Sequence, residues 1–197
     1  MRVTFSEPFL LALFLTCVLR DVRWTVFLWL AAALHEGGHF LALRLLGAEI
    51  TQLRFRLTGM ELVYGSSRLS YGAEICAALA GPAANLLCAG GLFLLSRLRP
   101  FPGLELFLGC HLALAAFNLL PALPLDGGRA AQSLLCGLFP QRGESAALWL
   151  SGFVGLGLLA VGARLLLTAR NPTLFAAGML IFAQVLQKML YTGAKSG

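Results

Sequence analysis

The sequence predicts an all-α polytopic membrane protein: a six-helix transmembrane bundle with a small β-hairpin after the second helix. Three observations carry that prediction. Apolar residues make up 58% of the chain and charged residues 12%, about half the charged share of a soluble domain. Uncharged stretches recur at close to the roughly 20 residues that cross about 30 Å of hydrocarbon. One segment, residues 50–64, alternates with period two instead. The 197 residues suit one domain of ordinary size, expected here as a single membrane unit over 1–197.

The expected elements follow in chain order. Span one covers about Phe5 to Leu19, and Arg20, Asp21 and Arg23 turn the chain. Arg2 followed by an apolar run resembles a signal peptide. Glu7 and Pro8 weaken that n-region and more spans follow, so it is taken as a retained helix. Span two runs from Trp24 to about Leu46, with Gly47 suited to a C-cap. In "TQLRFRLTGMELVYG", Leu53, Phe55 and Leu57 alternate with Arg54 and Arg56, which is strand periodicity. Thr58-Gly59 signals a turn, and Glu61 to Tyr64 can return as a second strand or belong to an interfacial loop. Span three covers about Glu74 to Ser96. Span four lies in the uncharged stretch between Glu105 and Asp126. Its end, "NLLPALPLDGGR", carries Pro121 and Pro124, which forbid a regular helix, and a helical pattern resumes to about Phe139. Span five falls within 145–163. Span six lies between Arg170 and Lys188, with Asn171-Pro172 as its start signal.

Charge and cysteine narrow the function classes. The net charge is +6, but the basic residues sit at the ends of apolar runs and mark membrane interfaces. No aromatic-plus-basic patch accompanies them, so nucleic acid is not an expected partner. With an even number of spans, nine basic residues fall on the side of the termini and six on the other, which favours cytosolic termini. Five cysteines, none in a CxxC pair, read as small apolar packing groups.

The chemistry concentrates in span two, in "WLAAALHEGGHFLALRLLG". His35 and His39 are four residues apart and share one helix face. Two imidazoles so placed can bind one zinc ion, and Glu36 beside them can take a proton from the attacking water. A buried, hydrogen-bonded histidine pair is the plainer alternative, but it gives Glu36 no task. An ionised residue at mid-bilayer costs about 2.5–3.5 kcal/mol, whereas a structural zinc contributes roughly 10–16 kcal/mol. A bound metal therefore offsets two buried carboxylates. Catalytic zinc takes three protein ligands, and Asp126 is the best third candidate. It ends span four in a broken segment of the kind tolerated where backbone lines a cavity. It also reads as a helix N-cap. His111, in mid-span four, reads as a packed histidine or one supporting the site in preference to a ligand. Asn85 and Asn118 read as interhelical hydrogen-bonding groups, with Gly81 and Ala84 permitting close packing.

HEGGH at 35–39, GPAAN at 81–85 and NLLPALPLDGG at 118–128 stand in that order on spans two, three and four. Together they resemble the site-2 protease family of intramembrane zinc metalloproteases, over about residues 24–138. The compact arrangement looks most like the bacterial stage IV sporulation protein FB subgroup, which cuts a membrane-tethered transcription-factor precursor. No PDZ or CBS domain is expected here. The resemblance implies one zinc ion per chain, held by His35, His39 and Asp126, with Glu36 as the catalytic residue. It implies that Asn85, Asn118, Pro121 and Pro124 lie near substrate or shape the bend. It implies a membrane-tethered protein substrate, a bilayer setting in a bacterial cell membrane and a possible membrane inhibitory or regulatory protein. The rival readings are a catalytically silent zinc-binding scaffold and a zinc transporter.

Overall fold

A computed structural model describes residues 2–5, 22–48, 50–56, 59–64, 69–99 and 102–195. The chain divides into two compact units, Met1–Phe117 and Asn118–Gly197.

Among the described residues, the first unit contains three strands and three helices. Helix α1, Val22–Leu45, carries Arg44 in its last turn, where a cation suits the carbonyl end. Gly47 stops it with φ 76°, and the Ala48 N–H returns to the Leu43 carbonyl at 2.9 Å. A left-handed residue at this place is the common glycine stop. Leu43 and Ala48 then meet Ala77 in a small buried cluster with Ile50 and Leu69 packed against it. Helix α2, Tyr71–Leu98, begins at Ser70, whose hydroxyl accepts from the Ala73 N–H as an N-cap does. Helices α1 and α2 approach closely at Gly38: a Cβ there would lie 2.6 Å from the Ala80 carbonyl oxygen and 2.9 Å from the Ala84 Cβ. Small residues permitting close contact are the usual device of membrane helix pairs.

Strand β1 is Arg2–Phe5, β2 is Ile50–Arg56 and β3 is Gly59–Tyr64, in the order β1-β2-β3. Strands β2 and β3 are antiparallel, with Leu53 opposite Leu62 and Arg56 opposite Gly59. Strand β1 runs parallel to β2, with Arg2 opposite Gln52 and Phe5 opposite Phe55. That third strand was not anticipated from the sequence, where Phe5 stood at the start of span one. A four-residue segment is too short for its periodicity to register. Residues 6–19 of that expected span, and the turn residues 57–58, lie outside the described residues.

Helix α3, Leu104–Asn118, has 15 residues and so is about 22 Å long, short of a full crossing. Span four was expected between Glu105 and Asp126 with a non-helical end, and the helix does stop at Asn118, before Pro121 and Pro124, each of which lacks a backbone donor.

The second unit holds helices α4, Asp126–Leu138, α5, Gly143–Ala169, and α6, Thr173–Lys195. Helix α5 ends at Arg170, φ 51°, and the Asn171 side chain accepts from the Thr173 N–H at 3.1 Å to start α6. The pair packs at Gly155, where a Cβ would lie 3.6 Å from Ile181 and 3.7 Å from Phe182.

Four described helices are long and apolar enough to cross a membrane: α1, α2, α5 and Thr173–Leu190 of α6. Between 17% and 28% of their apolar windows is buried inside the protein. Leu45, Leu98 and Leu167 are 79%, 79% and 84% exposed, as suits side chains that face lipid. The chain is a multi-pass integral membrane protein. Six helices are described, but they are not the six expected spans, because α4 has 13 residues and does not reach across.

Candidate metal centre

The histidine pair is built by α1 and α2. His35 and His39 lie on the inward face of α1 and are 5% and 7% exposed. Their rings meet edge to face, with centroids 4.9 Å apart, and their Nε2 atoms are 3.2 Å apart. Two nitrogens each about 2.0–2.1 Å from one tetrahedral zinc would be roughly 3.3 Å apart, so the spacing fits a shared ion. The His39 Nδ1–H donates to the Ala77 carbonyl at 2.8 Å. That bond fixes the tautomer and leaves the Nε2 lone pair for a metal. Gly81 makes the space. A Cβ at this position would overlap His39 Nε2 and lie 2.8 Å from His35 Nε2.

Asp126 opens α4 and is 7% exposed. The alternative role as a helix N-cap does not hold, since the cap position is Leu125, without a side-chain cap bond. Asp126 instead occupies the first turn, where a carboxylate faces the free N–H groups of the helix. The segment leading to it is tightly folded. Ala122 N–H donates to Leu120 O at 2.8 Å and Leu125 N–H to Ala122 O at 2.9 Å. Leu123 N–H donates to Ser151 Oγ at 2.9 Å, and Ser151 donates on to Ala147 O at 2.7 Å. Gly128 admits this chain reversal, because a Cβ there would overlap the Ala122–Leu123 peptide.

His35 and His39 each offer one ligand nitrogen, and Asp126, buried in the first turn of α4, is the carboxylate candidate for a third ligand. Two imidazoles and a carboxylate, all buried, are a donor set that suits zinc and leaves a position for water. The residues present therefore fit the metal. Glu36, adjacent to His35 on α1, is half-buried.

The remaining expected residues fall in different settings. Asn85 is fully buried; one end of its side-chain amide lies 3.1 Å from His35 Nδ1. The other end lies 3.0 Å from His111 Nδ1. Asn118 ends α3 half-buried, Pro121 is half-buried, and Pro124 is exposed. Pro124 borders a cavity of about 300 Å³ that Leu123, Arg129, Gln132, Gln184 and Lys188 also line. Sequence reasoning missed Gly81 as the cradle of the histidine nitrogens and Ser151 as the anchor of the loop. For Gly81 the signal was its place in GPAAN, one helical turn before Asn85. Ser151 offered only a lone hydroxyl in an apolar helix.

No protein-family model matches the chain. It is 34% identical over 114 residues to a candidate zinc metalloprotease of Synechocystis, covering 55% of this chain and 30% of that protein. It is 25% identical over 144 residues to a zinc metalloprotease of Methanocaldococcus jannaschii, covering 68% of this chain and 42% of that one. The chain thus spans less than half the length of either relative. Its fold matches the structure of a site-2 protease from Methanocaldococcus jannaschii with a TM-score of 0.68. That match covers 94% of this chain and 90% of the other at 20% identity.

Proposed function

We propose that this chain, a membrane protein with the site-2 protease fold and a matching donor set, is an intramembrane zinc metalloprotease. It would hydrolyse a peptide bond within or next to a transmembrane segment of a membrane-tethered protein. The observation that carries this reading is the buried His35–His39 pair, its Nε2 atoms 3.2 Å apart, with Glu36 beside it on the same helix.

In this reading His35, His39 and Asp126 hold the ion. Zinc bound there would supply Lewis acidity, polarising a carbonyl and lowering the pKa of bound water to about 7. Glu36 takes the proton from the attacking water at its carboxylate and returns one to the leaving amine, a service worth typically 10²–10⁴-fold. The buried walls limit water and strengthen the charge interactions inside. A helical substrate hides its carbonyls in hydrogen bonds and must unwind to be cut. The β2–β3 hairpin offers a strand edge on which an unwound segment can lie, and Asn118, Pro121 and Pro124 are proposed to shape its path. The stage IV sporulation protein FB subgroup is the finer assignment, supported by the order of the three motifs. With it come cytosolic termini, a bacterial cell membrane and a membrane regulatory partner.

The test pairs metal analysis with cleavage of a tethered reporter. Wild type should carry one zinc per chain and cut the reporter. Glu36→Gln should keep zinc and lose cleavage by at least about 10²-fold. A Glu36→Gln protein that still cuts at the wild-type rate removes the proposed role. Zinc uptake into vesicles without any cleavage would favour the transporter, and zinc binding with neither activity would favour the silent scaffold.

A further inference from the structure

We infer that His111, acting through the Asn85 amide, is a positioning residue that holds His35 in its metal-binding tautomer. The inference rests on the zinc reading above and deepens it.

A neutral imidazole has one N–H and one lone pair. For His35 Nε2 to bind zinc, the ring proton must sit on Nδ1 and needs an acceptor there. The group facing His35 Nδ1 is Asn85, at 3.1 Å, and the other end of the same amide is 3.0 Å from His111 Nδ1. An amide donates only through nitrogen and accepts only through oxygen. The three groups are therefore locked in one of two polarities. With Nδ2 towards His35, the His35 proton lies on Nε2, which is closed to metal, and His111 is the Nδ1–H tautomer. With the amide turned by half a rotation, Oδ1 accepts from His35 Nδ1–H and Nδ2 donates to His111 Nδ1. The His111 proton then lies on Nε2. Only the second polarity opens His35 to zinc.

The surroundings make this choice matter. Asn85 and His111 are both 0% exposed, so bulk water cannot supply a substitute partner. His111 Nε2 is a buried atom without a hydrogen-bond partner among the described residues, so it can take up the proton without breaking a bond. The ring is held in place by Phe107, 4.7 Å away between centroids, itself stacked on Phe27 at 5.0 Å. Outer hydrogen bonds of this kind orient metal-ligating histidines and raise their basicity. Asn85, expected near substrate, is thereby assigned to the ligand.

The experiment uses the full chain in detergent micelles. Zinc affinity is read by competition with a chromogenic chelator, and histidine tautomers by nitrogen NMR on ¹⁵N-histidine-labelled protein. His111→Phe and Asn85→Leu should each weaken zinc binding by about 10- to 100-fold. The double variant should be no weaker than Asn85→Leu alone, since His111 acts through Asn85. In zinc-loaded wild type, His111 should be the Nε2–H tautomer, a measurement that needs no variant to fold. An Nδ1–H tautomer in the loaded protein overturns the inference. So do unchanged affinities in the single variants, or losses that simply add in the double. Failure of the wild type to bind zinc at all would instead strike the metal reading beneath it.

Discussion

A methyl group added at Gly81 would overlap the two nitrogens that face each other across the metal position. Gly81→Ala should therefore displace the imidazoles while leaving α2 helical, since alanine is the better helix former. Overpacking of this kind costs about 1–3 kcal/mol, or roughly 5- to 150-fold in zinc affinity. Chelator competition measures it, and wild-type affinity in Gly81→Ala would show that the rings have room to move. At this scale the sequence was unequally informative. His35, Glu36 and His39 were legible because a helical repeat of four puts both imidazoles on one face. The partners of those rings were not, because Ala77, Gly81 and Asn85 lie on another helix, 38 to 50 residues on.

The broken segment between α3 and α4 decides where Asp126 sits. Its prolines and glycines announced a break, but nothing in the sequence announced Ser151 as the group that ties Leu123 down. Ser151→Ala leaves the buried Leu123 N–H without an acceptor, at about 1–3 kcal/mol. Hydrogen exchange at Leu123 and Leu125 should accelerate while the middle of α5 stays protected. Equal exchange in both proteins would place the anchor elsewhere in the loop. Helix lengths were read well in α1 and α2, but α5, expected within 145–163, runs on through Arg164 to Ala169. For span four the prolines marked the break, and α3 ends at Asn118 just ahead of them.

For the whole molecule, the exposed leucines of the crossing helices require lipid, while the buried polar groups require a partner of their own. A ligand that binds only the folded protein stabilises it by mass action, by about 2.7 kcal/mol at a hundred times its dissociation constant. Zinc added to metal-free protein should raise its melting temperature, and a chelator should reverse the rise. Glu36→Gln should show the same shift, because Glu36 is not counted among the ligands. A variant whose melting temperature ignores zinc would make Glu36 part of the metal site.

Membrane insertion, the helical repeat and the presence of an HExxH pair follow from local pattern, because burial cost and periodicity act over a few turns of chain. Which atoms converge does not. The glycine cradle and the Asn85 contacts to His35 and His111 depend on how separate helices pack, and contacts between residues far apart in sequence leave no periodic mark upon it.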